Sequence, residues 1–306
     1  MLSHLLLVVE TDKEDSQALA HAVWFARTAG AHITLLGLLD SSSEKSHFVD
    51  PLDWHMRKLE AEVRLKKLGQ KLRQTGAAVH TEILDSSRAR NLLQYAQAQA
   101  VDLIILVKRM ERISELIHNL IKRTTIPVLV FQDTGSAPEL SPAYRKLLVP
   151  LDGSQRAEYV LSFAAQFAQI YNAQIVVAHV LHKPDMPRST RHSAADHSLS
   201  NQIVEYNRNE LMPYLKRIAA RLPGKVETRL LVSDNVAVAL ANLAEAEGID
   251  LIVLGAHGYS GTPQQPYGNI ANNLMTYSRK PVLMVQDLPE AQAATVQAGR
   301  QYSKQA

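Results

Sequence analysis

The strongest constraint on the fold is an internal repeat with a long period. The apolar run Leu5-Leu-Leu-Val-Val9 returns 142 residues later as Leu147-Leu-Val-Pro-Leu151. In the same way, Asp102-Leu-Ile-Ile-Leu106 returns as Asp250-Leu-Ile-Val-Leu254. Solenoid repeats have periods of roughly 20–50 residues. A repeat this long therefore indicates two copies of a whole domain.

Within each copy, short β-branched and leucine-rich runs alternate with helical patterns, which is typical of βαβ units around a parallel sheet. We expect two tandem doubly wound five-stranded parallel-sheet α/β domains, Rossmann-like, with strand order 3-2-1-4-5. The predicted strands are Leu5–Val9, His32–Leu38, Val79–Leu84, Asp102–Leu106 and Pro127–Phe131, then Lys146–Leu151, Gln174–Val180, Val226–Val232, Asp250–Leu254 and Pro281–Val285. Two of the predicted helices are Leu52–Thr75, with alternating charges on a solvated face, and Ser154–Tyr171.

The predicted domains are residues 1–133 and 144–288. Residues 134–143, which contain Gly, Ser and two Pro, are predicted to be a linker. The Ala- and Gln-rich residues 289–306 have no strong apolar period and are predicted to form a flexible tail.

Composition excludes several classes of function. The 306 residues include no cysteine, so disulfides and cysteine nucleophiles are excluded. The apolar runs are far shorter than the roughly 20 residues of a membrane-spanning helix, and the N-terminus lacks a signal-peptide pattern, so we expect a cytoplasmic protein without membrane contact. The net charge is +3, with Lys and Arg dispersed among Asp and Glu, which does not favour nucleic-acid binding.

A glycine-rich segment follows a predicted strand of the second domain. Gly255, Gly258 and Gly268 stand between this strand and a helical pattern. A glycine-rich turn lets backbone N–H groups approach a phosphate, and the helix N-terminus adds partial positive charge. The segment therefore predicts a phosphate site.

The first domain has lost this pattern. Val107 and Met110 replace the first two glycines, the connection is six residues shorter, and Ser114 and Glu115 align with Gly268 and Asn269. Side chains and a carboxylate thus stand where phosphate would bind. The basic residues Lys108, Arg109 and Arg112 could form a substitute anion site, but they also fit the solvated start of a helix.

Two residues follow the first strand of the second domain. Asp152 offers a carboxylate to a ribose hydroxyl or an adenine amino group at the carboxyl edge of the sheet, where doubly wound folds bind ligands. Ser154 begins the next helix, and it fits either an N-cap or a ligand role.

Together these residues resemble the universal stress protein family. The resemblance rests on strand-Pro-x-Asp-Gly-Ser-helix and on Gly-x2-Gly-x9-Gly, and the duplication is similar to that of the tandem-domain members. It implies binding of ATP, or of ADP or AMP, with Mg²⁺ accompanying the nucleotide. By position it implies a site formed by Pro150, Asp152, Val180, Leu254, Gly255, His257, Gly258, Gly268, Asn269 and Ile270. Asn269 departs from the family pattern, which has Ser or Thr there.

The resemblance also implies partners. In the family, the edge strand mediates dimerisation, so Pro127–Phe131 and Pro281–Val285 are expected to pair the two domains within the chain. Such pairing would protect exposed apolar strand edges. A further homodimer and an unidentified protein partner are compatible with this arrangement.

We expect the nucleotide to be a regulatory ligand, because no catalytic constellation is evident. His182, His192 and His197 match no compact metal motif, so neither catalytic residues nor a metal site are predicted. Two alternatives stay open, namely a nucleotide-free scaffold that acts through protein contacts and a weak ATP hydrolase.

Overall fold

A computed structural model describes residues 2–10, 16–39, 51–84, 89–108, 111–132, 144–182, 194–256 and 268–286. The chain divides into two compact units, and the main break falls between Ala143 and Tyr144. The predicted linker and tail, residues 134–143 and 289–306, lie outside the described residues. Among those residues, no helix is both long enough and apolar enough to span a bilayer.

The first unit is a parallel sheet with helices between its strands. Its elements are β1 (His4–Glu10), α1 (Ser16–Ala29), β2 (His32–Leu38), α2 (Pro51–Arg73), β3 (Val79–Leu84), α3 (Ala89–Ala98), β4 (Leu103–Lys108), α4 (Glu111–Arg123) and β5 (Val128–Gln132). The strand order is β3-β2-β1-β4-β5, and every adjacent pair is parallel. The predicted α/β fold and the strand order 3-2-1-4-5 are confirmed.

The second half of the chain repeats this plan. Its elements are β6 (Lys146–Pro150), α5 (Gln155–Glu158), α6 (Val160–Tyr171), β7 (Gln174–Leu181), α7 (Ala194–Arg221), β8 (Val226–Val232), α8 (Val236–Ala246), β9 (Leu251–Gly255), α9 (Asn269–Tyr277) and β10 (Val282–Val285). The strands β8, β7, β6 and β9 lie side by side in that order. Pro281 accepts a hydrogen bond from the Ile252 N–H at 3.0 Å, so β10 begins beside β9.

Apolar strands form the core of each unit. The side chains of Leu251, Ile252 and Val253 in β9 are all fully buried, although successive side chains point to opposite faces of the sheet. Burial on both faces is the reason that these strands are continuous apolar runs in the sequence. Full burial of one such side chain stabilises the fold by about 1.5–3 kcal/mol.

In each unit, an aspartate accepts backbone hydrogen bonds at the amino ends of the strands. Asp250 Oδ2 accepts hydrogen bonds from the backbone N–H groups of Arg145 and Lys146, at 2.8 and 2.9 Å. In the first unit, Asp102 Oδ2 accepts the corresponding bonds from Ser3 and His4, at 2.8 and 3.2 Å. The duplicated aspartate therefore ties two neighbouring strands together, which explains its repetition in the sequence without a ligand.

One predicted helix is interrupted. The segment predicted as a single helix from Ser154 to Tyr171 contains the short α5 and the longer α6, which are separated at Tyr159. Tyr159 is a turn residue that keeps helical backbone angles, with φ −56° and ψ −32°, so the chain follows a helical path through the break.

Candidate functional site

Three strands of the second unit end at the same edge of the sheet. In the parallel register Pro150 of β6 lies beside Ala178 of β7, and Leu148 of β6 lies beside Ile252 of β9. The chain leaves β6 toward β7 on one side and returns to β9 on the other, so strand order reverses between β6 and β9. Ligands of doubly wound folds bind at this position, outside the carboxyl ends of the strands.

The Asp-Gly-Ser sequence after β6 forms a compact turn. Asp152 Oδ1 accepts hydrogen bonds from Ser154 N–H at 2.9 Å and from Ser154 Oγ at 2.7 Å, which makes an Asx-turn. Gly153 has a φ of +87°, a conformation that favours glycine. Ser154 Oγ in turn accepts from Ala157 N–H at 3.1 Å and caps α5, so the N-cap alternative for Ser154 is confirmed.

Asp152 is exposed at this edge of the sheet. Both of its hydrogen bonds with Ser154 use Oδ1. The Asx-turn restricts how the carboxylate can move. The turn therefore fixes the orientation of an acceptor group at the carboxyl edge of the sheet.

His179 supports this turn from β7. Its Nδ1 lies 2.8 Å from the Leu151 carbonyl oxygen, and since a carbonyl can only accept, Nδ1 carries the proton. Burial lowers the pKa of His179, although the bond to Leu151 and the nearby Asp152 carboxylate act in the opposite direction. The sequence places His179 at a strand end but indicates no role for it. The contact spans 28 residues of sequence and has no local pattern that could reveal it.

A second tether connects α5 to α7. Tyr214 donates a hydrogen bond to Glu158 Oε1 at 3.1 Å, and Arg221 lies 3.5 Å from Glu158 Oε2. Burial, together with the negative charges of Glu158 and Asp152, raises the pKa of the Tyr214 hydroxyl. The turn that carries Asp152 is thus held from β7 and its following helix is held from α7.

Gly268 is the N-cap of α9. Its N–H donates to the Ala256 carbonyl at 2.8 Å, which joins the two ends of segment 257–267. Its φ of −72° and ψ of 162° are open to any residue. Among the described residues, a Cβ built on Gly268 would have the Ala256 oxygen as its nearest neighbour, at 3.9 Å. The described part of the fold therefore does not require glycine here.

The start of α9 has no side-chain cap among the described residues, and neither has the start of α6, whereas Ser154 caps α5 and Asn235 caps α8. Asn269 and Ile270, the first two helical residues, are exposed. The first N–H groups of a helix have no partner within it and carry partial positive charge, so this end favours an anion.

Four more of the predicted site residues occupy the same edge. Pro150 ends β6 and Val180 is half-buried near the end of β7, while Leu254 is buried and Gly255 ends β9. His257 and Gly258 lie outside the described residues. In the described ranges, no group of three or more His, Asp or Glu side chains could hold a metal ion.

The equivalent edge of the first unit is built differently. There two residues separate Lys108, the end of β4, from Glu111, the start of α4, whereas thirteen residues separate Gly255 from Asn269. The helix α4 has 13 residues and α9 has nine, so α4 carries one additional turn at its start. Ser114 and Glu115, which align with Gly268 and Asn269, lie inside this helix. In the first unit, a helical turn thus stands where the second unit has the glycine-containing connection between β9 and α9.

The strand that precedes the turn differs as well. β1 continues through Glu10, which aligns with Asp152, whereas β6 ends two positions before Asp152. The side chains of Glu10, Lys108 and Arg112 are not described, and Arg109 and Met110 lie outside the described residues. The alternative anion site of the first unit therefore stays an untested hypothesis.

Comparison with known proteins agrees with the duplicated architecture. A universal stress protein of Methanocaldococcus jannaschii is 27% identical over 157 residues, which cover 97% of that protein and 48% of this chain. A universal stress protein structure from Archaeoglobus fulgidus covers 97% of its own chain and 93% of this one, with a TM-score of 0.64 at 13% identity, and this likeness shows the fold. A second Archaeoglobus fulgidus universal stress protein, solved in complex with dAMP, matches 46% of this chain and 98% of its own, at 22% identity and a TM-score of 0.31.

The model of the universal stress protein family matches twice, over residues 1–132 and again over residues 143–286. The two matches correspond to the two copies that the internal repeat predicts. Together they cover nearly all the described residues of both units. The chain is therefore a member of the universal stress protein family with two tandem family domains.

Proposed function

We propose that the second domain binds one adenine nucleotide as a regulatory ligand and that the first domain binds none. The observation that carries this proposal is the difference between the two equivalent strand-to-helix connections. In the second domain the helix begins at Gly268, where no described side chain provides a cap and no described atom lies closer than 3.9 Å to an added Cβ. In the first domain an additional helical turn fills the corresponding part of the chain.

Each part of the proposed site has a chemical task. The backbone N–H groups of Asn269 and Ile270 bind phosphate oxygens at the start of α9. Asp152 accepts hydrogen bonds from the ribose hydroxyls, and the apolar side chains of Val180 and Leu254 contact the base. Gly255, His257 and Gly258 contribute backbone groups to the phosphates and ribose, and Mg²⁺ accompanies a triphosphate.

Family membership supports the class of ligand. Tandem domains of this family are established for the chain, and the glycine spacing of its second domain resembles the pattern of ATP-binding members. The family also includes a protein solved with dAMP. Asn269 keeps a side-chain donor where Ser or Thr is usual, so a phosphate contact at this position is retained.

The regulatory role rests on the lack of a recognisable catalytic arrangement among the described residues around the proposed site. Nucleotide contacts in segment 257–267 would change a surface that another protein reads. Such a mechanism requires the partner protein to bind the two states with different affinity, because a ligand shifts an equilibrium only by its differential affinity. The pairing of the domains through Pro127–Phe131 and Pro281–Val285 stays a prediction.

Calorimetric titration of the full chain with ATP and magnesium tests the proposal. We expect saturable binding in the wild-type chain and none in Gly258→Met, which places a long side chain in the glycine segment. Met110→Gly, at the aligned position of the first domain, is the matched control and leaves binding unchanged. Absence of binding in the wild type would favour the scaffold alternative. ATP turnover that disappears in Asp152→Ala would favour the hydrolase alternative.

A further inference from the structure

Helix α2 of the first domain carries an apolar stripe on its outer side. Leu52, Met56, Leu59 and Val63 are exposed by 69, 51, 43 and 66%. We call these four residues the outer stripe. Their spacing of four, three and four residues is that of the a and d positions of a heptad repeat. An apolar stripe therefore runs along the predicted solvated face of this helix over residues 52–63.

The outer stripe is not part of the core. Ala61, Leu65 and Leu72 form the buried side of α2, which packs against β2 and β3. Residues two positions apart on an α-helix differ by about 200°, so Leu59 and Val63 point away from Ala61. Helix α2 thus has two opposite apolar faces, and within the described part of its domain only one of them is packed.

The charges beside the outer stripe favour a helical partner over a membrane surface. Asp53, Glu60 and Lys67 follow one side of the stripe, while His55 and Glu62 follow the other. Helices that lie on membranes carry predominantly basic polar faces. Mixed acidic and basic residues beside a and d positions are instead typical of coiled-coil pairing.

We propose that α2 pairs in parallel with α2 of a second copy of this chain. In a parallel pair, each g position faces the e position five residues further along the partner helix. Glu62 then faces Lys67 of the second copy, and His55 faces Glu60 of the second copy. Glu62 already lies 3.7 Å from Lys66 of its own helix, so the new contact extends an existing ion pair.

The antiparallel alternative is less favourable electrostatically. Full overlap of the outer stripe in that orientation places Met56 opposite Leu59 of the second copy. Asp53 then comes beside Glu60 of the second copy, and like charges at this position destabilise a pair. The charge pattern therefore selects the parallel orientation.

Helix α7, the equivalent helix of the second domain, provides an internal comparison. Leu199, Ile203 and Tyr206 repeat the spacing of the first three stripe residues, and all three are exposed. The fourth position is Glu210, and the flanking Gln202 is uncharged. The α7 face thus lacks the last apolar position and the complementary charges, so the pairing is assigned to α2.

Cysteine cross-linking tests the pairing and its orientation, because the chain has no native cysteine. A disulfide requires Cα atoms about 4.4–6.8 Å apart. In a parallel pair each a position meets its own copy, so Met56→Cys and Val63→Cys should each give covalent dimers on mild oxidation of the full chain. Ile203→Cys, at the matched position of α7, should stay monomeric on a denaturing gel.

Sedimentation measurements complete the test. We expect a wild-type dimer, and Leu59→Glu should weaken it by roughly 30-fold or more, whereas Ile203→Glu should not. Glu62→Lys should also weaken the dimer, and adding Lys67→Glu should restore it. Leu59 and Ile203 are both exposed, so an unchanged circular dichroism spectrum verifies that the variants fold. A monomeric wild type, an unaffected Leu59→Glu dimer, or absence of both α2 cross-links would overturn the proposal.

Discussion

Replacing Gly268 by alanine should lower the affinity for nucleotide and change the stability of the free protein only slightly. The φ of −72° at this N-cap is accessible to alanine, and the added Cβ has no described neighbour closer than 3.9 Å. The cost to folding should therefore stay below about 1 kcal/mol, the usual range for an N-cap change. In the proposed nucleotide complex, however, the same methyl group would lie where phosphate approaches the start of α9.

The expected loss of affinity follows from packing. A methyl group forced into a filled site costs about 1–3 kcal/mol, which corresponds to a roughly 5- to 150-fold higher dissociation constant for nucleotide. Calorimetry with ATP and magnesium measures this change, and urea denaturation of the free protein measures the stability. An unchanged dissociation constant would refute the placement of phosphate at Gly268.

Gly248 is the matched control. It has a φ of +61°, it follows α8, and it lies near the amino end of β9, at the edge of the sheet opposite the proposed site. Alanine in this left-handed conformation costs about 1–2 kcal/mol. Gly248→Ala should therefore lower the free energy of unfolding and leave nucleotide affinity unchanged. If Gly268→Ala instead destabilised the free protein as much as Gly248→Ala, glycine would be required by the fold and not by a ligand.

Three further predictions concern stability and the site. Burial lowers the pKa of His21 to about 4, and its ring packs 4.7 Å from that of Phe131. The unfolded state therefore binds more protons between pH 4 and 6.5, and about 2 kcal/mol of stability should be lost between pH 7 and pH 5. Denaturation at several pH values should show a shallower slope for His21→Leu, and an unchanged slope would exclude His21 as the cause. Asp250→Ala leaves two backbone donors without their carboxylate and should cost about 1–3 kcal/mol of stability without altering nucleotide affinity; a calorimetric change in affinity would contradict its purely structural role. Asp152→Ala should weaken nucleotide binding by roughly 10- to 150-fold, the range for a lost hydrogen bond to a charged group, and Asp152→Asn should weaken it less because its side-chain oxygen can still accept from Ser154. Equal affinities for both Asp152 variants and the wild type in calorimetry would remove Asp152 from the site.

The sequence predicts the features that depend on residues close to one another in the chain. The inner strands are predictable because burial on both faces leaves long apolar runs, as in Leu251–Val253, whereas β3 and β8 are partly exposed and are interrupted by polar residues. The Asp-Gly-Ser turn is also readable, since each of its residues favours its observed conformation for a local reason. Ser154 illustrates this, because its capping bond spans only three residues.

Features that depend on tertiary contacts could not be predicted. The bond from His179 to Leu151 extends from β7 to the residue that follows β6, and the tie from Tyr214 to Glu158 joins two helices 56 residues apart in sequence. The sequence leaves the start of α4 open, because Lys108, Arg109 and Arg112 fit a substitute anion site as well as the solvated start of a helix. The outer stripe of α2 resembles a solvated face in the sequence because its charges alternate with the apolar residues.

The divergence of the two domains has a simple physical description. Both keep the aspartate that ties the amino edge of the sheet, as Asp102 and Asp250 show. They differ at the carboxyl edge, where the second domain has a long glycine-containing connection and the first has additional helix. The aspartate satisfies backbone donors in both domains, whereas the long connection is present in only one.

The number of nucleotides bound per chain directly tests whether the second domain binds one nucleotide and the first domain none. Native mass spectrometry of the full chain with ATP and magnesium, at concentrations well above the calorimetric dissociation constant, measures this number. We expect one nucleotide per chain in the wild type and none in Gly258→Met. Two nucleotides per chain, or one that persists in Gly258→Met, would contradict a single site in the second domain.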